Sequence, residues 1–180
     1  MTNSREIAIC SEVEIHRPAA VVWELIADYS ADPAWRRGVS SMQPTPAGMV
    51  QVGTSTVEMI RLAGSTYRNL GEVIEVQPGR EFSWRTTGGA DANGSRSVLP
   101  TGPSACVTRL ELRVRPHGPQ RVIAPVLALL LRRNLRGDGL RLRALAERGA
   151  SGNPARNRAT ARALTDPAHR RFPAARDLPR

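Results

Sequence analysis

A chain of 180 residues, 41% of them hydrophobic and 23% charged, has room for one domain whose core needs neither disulfides nor metal. Its 26 basic side chains are all arginine and stand against 16 acids, a net charge of +10, and the lack of lysine excludes Schiff-base chemistry. Two cysteines make no disulfide framework, and three histidines without HxxxH or HxH spacing lead us to expect no metal and no cofactor.

In chain order, Glu6 to Ile15 alternates Ile7, Ile9, Val13 and Ile15 with polar residues, the pattern of a half-buried strand. Pro18 opens a helix that carries Val22, Leu25 and Ile26 on one face and ends near Asp28. Asp32-Pro33 is a second helix start, with Asp32 as the expected N-cap, and this short helix carries Trp35.

From Gly38 the signal turns to strands. They are expected at Val39 to Met42, Ser55 to Leu62, Thr66 to Val76 and Glu81 to Thr87, with a loop over Gly88 to Gly94. A weak strand follows at Ser95 to Leu99, then a turn from Pro100 to Ser104. Ala105 to Arg115 sets Thr108, Leu110, Leu112 and Val114 against Arg109, Glu111, Arg113 and Arg115, an apolar-in, polar-out antiparallel strand. Gln120 to Glu147 changes to helical period, with Leu127, Leu131, Leu135, Leu142 and Leu145 on one stripe and Pro125 marking either a kink or the true start.

The expected domain spans residues 5–148. Residues 149–180 hold seven arginines against two aspartates, half of the net excess, and read as an Arg-rich, disordered tail. One strand, two short helices, about six successive strands and one long helix imply an α+β fold, a curved antiparallel sheet of about seven strands around a long C-terminal helix. The first and last strands are neighbours there, so Cys10 and Cys106 have room to bridge, but two small buried thiols are the favoured reading. The polar N-terminus and an apolar run of only ten residues, Val122 to Leu131, point to a cytoplasmic protein.

Three stretches carry a resemblance. HRPAAVVWELIADYSADPAWRRGV (residues 16–39) has Pro18, Val22-Trp23, Asp28, Pro33-x-Trp35 and Gly38-Val39 in order; GEVIEVQPGREFSWR (71–85) is a strand, Pro-turn and strand with a terminal Trp; LRLRALAE (140–147) has a closing-helix spacing of Leu. Together they resemble the helix-grip START-like (SRPBCC) superfamily and its bacterial polyketide cyclase/dehydrase branch. The resemblance implies a cavity between the concave sheet face and the long helix. Its expected ligand-binding residues are Trp35, Tyr67, Asn69, Phe82, Trp84, Leu110, Leu112, Val114, Leu127 and Leu131.

Tyr67 and Asn69 share one face of a strand and Arg68 takes the other, so the register decides which of them enters. These three are the weak candidates for catalysis, by holding a ligand oxygen or an enolate. Glu58 and Glu72 are read as solvated. The leading expectation is a binder or carrier of a hydrophobic or amphipathic, lipid- or polyketide-like small molecule. An aromatase/cyclase or dehydratase is the alternative, and an interaction module using the basic tail is a third. Arginines of the long helix and the tail are the candidates for weak contact with an anionic membrane. No aromatic residues interleave with them, which argues against single-stranded nucleic acid as a partner.

Overall fold

A computed structural model describes residues 6–62, 64–118 and 122–148, so the expected tail at 149–180 lies outside the described residues. Seven antiparallel strands form one curled sheet in the order β1-β7-β6-β5-β4-β3-β2. They are β1 (Ile7–Ile15), β2 (Val39–Thr45), β3 (Ser55–Leu62), β4 (Ser65–Gln77), β5 (Glu81–Gly88), β6 (Ala92–Gly102) and β7 (Ala105–Val114). Helices α1 (Ala19–Ala27) and α2 (Asp32–Trp35) follow β1, with a 3-10 turn between them, and α3 (Ala124–Arg148) closes the domain. The helix-grip architecture expected from the sequence is the one observed.

The alternation in β7 maps directly onto the sheet. Cys106, Thr108 and Leu110 are buried on the concave face, while Arg109 and Arg113 are exposed. Register irregularities in β4, at Leu70/Gly71 and Val73/Glu75, bend the long strand and help the sheet curl. Pro44 is tolerated in β2 because that strand is a sheet edge.

The last strands differ from expectation in instructive ways. β6 begins at Ala92, so the expected loop shrinks to residues 89–91. Gly94, read as a loop residue, lies within the strand opposite Trp84. A Cβ there would meet the Glu111 carbonyl oxygen at 2.1 Å and Trp84 Cζ2 at 2.9 Å, so the glycine makes room for the indole. β6 also continues through Pro100, which pairs only with β7, because β5 reaches no further along β6 than Ser97.

Pro125 is the second residue of α3 and so marks the start of the helix. Gly139 packs against β1, where a Cβ would make an ordinary contact with Val13 Cγ1 at 3.4 Å. Asp138 accepts hydrogen bonds from the Arg37 backbone N–H at 2.8 Å and from the Arg141 guanidinium, and Arg141 donates to the Trp35 carbonyl at 2.9 Å. Glu147 accepts from the His16 N–H at 3.0 Å. These bonds fix both the middle and the end of α3 over the domain. Both cysteines are free; Cys106 is buried as expected, but Cys10 is exposed because it falls on the outward parity of β1.

Candidate functional site

Asp32 is the first surprise of the interior. Asp-Pro is a helix-start signal, and α2 does begin there, but the Asp32 side chain makes no capping bond. It is fully buried and accepts two parallel hydrogen bonds from Arg96 of β6, at 2.7 and 2.6 Å. Arg96 shares the inward parity of β6 with Val98, and it also donates to the Ile26 carbonyl at 3.1 Å. Its guanidinium carbon lies 4.9 Å from the ring centre of Tyr29, 5.0 Å from that of Trp35 and 5.6 Å from that of Phe82. Planar stacking suits a weakly hydrated guanidinium, and two oxygens of one carboxylate balance its charge. Phe82 braces this box, edge-on to Tyr29 at 5.6 Å and to Trp23 at 6.2 Å.

Arg36 extends the network outward. Its Nη1 donates to Asp32 at 2.9 Å and lies 2.7 Å from Glu58 Oε1. Glu58 accepts a further bond at Oε2 from the Asn69 amide, 2.9 Å away, and Asn69 Oδ1 accepts from the Ala90 N–H at 3.2 Å. Burial alone would lower the Arg36 pKa, but Glu58 and Asp32 outweigh it and hold the guanidinium above its ordinary value. Burial pushes the Tyr29 hydroxyl up to about 12, although the Arg96 cation pulls against it. Burial likewise raises the Asp138 carboxyl, opposed by the Arg37 N–H and by the nearby arginines.

Two chambers flank this network. The outer one, about 40 Å³, is lined by Tyr29, Arg36, Met42, Glu58, Asn69 and Trp84 among others. The inner one, about 50 Å³, lies toward α3 and is lined by Trp35, Trp84, Leu110, Leu112, Leu135 and Asp138 among others. Arg36, Trp84 and Arg96 belong to both linings and form the partition. Each chamber has room for one or two waters, far less than the roughly 300 Å³ at which drug-sized sites begin. Trp35 Nε1 is buried and makes no hydrogen bond to any described residue, an unspent donor in a residue of the inner wall.

The expected site residues thus divide. Trp35, Trp84, Leu110 and Leu112 meet at the inner chamber, and Asn69 and Trp84 at the outer. Phe82 is fully buried beneath Arg96. The register of β4 sends Asn69 inward, opposite Glu58. Arg68 points to the other face and is exposed. Tyr67 has the parity of Asn69 but sits at the far end of the strand, 46% exposed and in neither lining. Val114, Leu127 and Leu131 are half-buried and line neither chamber.

Glu58 corrects the solvated reading, since its side chain is only 14% exposed and paired with Arg36, whereas Glu72 is half-buried and paired with Arg85. Arg36, Arg96 and Tyr29 escaped sequence reasoning altogether. One signal was present for Arg96, a charge on the same strand parity as a core valine, but nothing marked its partner.

The family described as polyketide cyclase/dehydrase and lipid transport matches residues 6–147. Among curated proteins, none matches in sequence. Solved structures share the fold. The Zhui aromatase/cyclase from Streptomyces sp. R1128 aligns with a TM-score of 0.71 at 16% identity, covering 83% of this chain and 99% of that one. A START superfamily protein from Mycobacterium smegmatis gives 0.68 at 17% identity, covering 78% and 97%. Norcoclaurine synthase from Thalictrum flavum, solved with dopamine and hydroxybenzaldehyde, gives 0.57 at 17% identity, covering 80% and 88%. With the match running along nearly the whole described fold, the chain belongs to the polyketide cyclase/dehydrase and lipid transport family.

Proposed function

We propose that the domain encloses a small amphipathic molecule, its apolar body among Met42, Leu70, Trp84, Leu110 and Leu112 and its polar end at Arg36, Glu58 and Asn69. One observation carries this reading: a guanidinium, a carboxylate and an amide converge on the wall of a chamber that Met42, Leu70 and Trp84 also line. A purely structural core gains nothing from such a group, because apolar residues of equal volume are usually as stable or more so. A ligand oxygen, in contrast, finds donors there that are partly shielded from water.

The chambers are too small for such a ligand, singly or joined, so the wall between them must also move out of the way. Of the three partition residues, Arg36 and Arg96 are held by ion pairs, whereas Trp84 is held by packing alone among the described contacts. Trp84 is therefore the wall that swings aside, and its share of the fluorescence, read as the difference from Trp84→Phe, reports the event. Titration with medium-chain fatty acids and aromatic ketones is expected to change that fluorescence saturably. Asn69→Ala is expected to weaken binding of the polar-headed ligands about tenfold, the worth of one hydrogen bond in a half-buried site, and to leave a hydrocarbon of equal length unaffected. Equal affinities for both ligand types in both proteins would sink the reading.

A second reading, cyclase or dehydratase chemistry on a polyketide-like chain, draws on the same triad. Arg36 would stabilise an enolate oxygen and Glu58 would take the proton. It requires turnover that disappears in Glu58→Gln while binding persists.

A further inference from the structure

Helix α3 has a second face that the enclosed site does not use. Its inward side sends Leu135, Leu142, Leu145 and Ala146 into the core. Its outward side begins apolar and becomes basic. Val122, in the turn before the helix, is 85% exposed, Val126 is 60% exposed and Leu129 is 66% exposed. At three- and four-residue intervals Arg133 and Arg136 continue the line of Val126 and Leu129, and Arg132 stands beside them.

A groove of about 500 Å³ runs here, lined by Arg37, Leu129, Arg132, Arg133, Arg136 and Arg141 among others. The two carboxylates of α3 are spent elsewhere, Asp138 on Arg37 and Arg141, and Glu147 on His16 and Arg143. Among the described residues no carboxylate pairs with Arg132, Arg133 or Arg136. Exposed aliphatic residues followed by uncompensated guanidiniums on one helix face are costly to leave in water and have little structural use.

From this juxtaposition we propose that the outward face of α3 docks on an anionic phospholipid surface, with Val122, Val126 and Leu129 entering the acyl boundary and Arg132, Arg133 and Arg136 pairing with headgroup phosphates. Among the described residues no helix is long and apolar enough to cross a membrane, so the helix lies in the interface plane. Charge complementarity selects anionic over neutral lipid. The proposal stands independently of what the interior encloses.

The test is flotation of the full chain with vesicles of phosphatidylcholine alone or mixed with phosphatidylglycerol. Binding is expected only to the anionic vesicles and is expected to fall as salt rises. Each exposed arginine of the face replaced by serine should weaken partition roughly fivefold, and Arg132, Arg133 and Arg136 together about a hundredfold. Val126→Asp with Leu129→Asp should abolish binding with the thermal midpoint unchanged, since both side chains are solvent-exposed. Serine at Arg156, Arg158, Arg162, Arg170 and Arg171 of the tail should leave most of the binding intact. The proposal is overturned if neutral vesicles bind as well, if the tail variant alone accounts for the loss, or if the chain is a dimer that the Val126/Leu129 variant dissociates without affecting vesicles.

Discussion

Replacing Asp32 by alanine is expected to cost the fold about 3–5 kcal/mol, because it strands the Arg96 guanidinium inside the domain without its counter-charge. Asp32 is fully buried and Arg96 6% exposed, so water cannot take over the lost bonds. Arg36 also loses one of its two carboxylate partners, which loosens the wall of the outer chamber. The effect is a property of the unpaired charge rather than of the pair. Replacing both partners, Asp32→Leu with Arg96→Met, should recover most of the stability. Urea unfolding of the three proteins measures this directly. A loss below about 1 kcal/mol for Asp32→Ala, or a double variant less stable than the single one, would show that the pair does not dominate the interior.

Phe82→Ala is expected to be nearly as severe, about 3–5 kcal/mol, since it empties a fully buried ring site. Phe82 supports the edges of Trp23 and Tyr29 and lies under Arg96, so its removal also frees the aromatic box that the cation fills. Phe82→Leu keeps most of the volume and should cost much less. Because the two sites share Arg96, Asp32→Ala and Phe82→Ala should not be additive, with a coupling of about 0.5–3 kcal/mol in a double-mutant cycle. Strict additivity would mean that the ion pair and the aromatic box act independently.

These two residues also mark what the sequence discloses. Leu110 and Leu112 were legible as inward residues from the alternation of their strand, because periodicity reports which face of an element meets water, and Phe82 from the resemblance. The turn at Pro78-Gly79 and the helix start at Pro18 were legible because backbone preferences act locally. Asp32 was legible only as a helix cap. Its actual partner lies 64 residues away, and no local pattern encodes a bond of that range. Glu58 looked solvated for the same reason, since Arg36 and Asn69 reach it from other elements. Gly94 looked like a loop until its cross-strand neighbour proved to be an indole that needs the space. The fold was therefore readable and the charged lining of its interior was not.

The enclosure of a small amphipathic molecule is tested most directly by native mass spectrometry of the full chain purified under gentle conditions, followed by extraction and identification of whatever it carries. The expected result is a one-to-one complex with a small molecule that has an apolar body and an oxygen-bearing end. Ligand added back should raise the melting temperature in proportion to the logarithm of its concentration. A bare protein mass in every preparation, together with no thermal shift across fatty acids and aromatic polyketides, would contradict it.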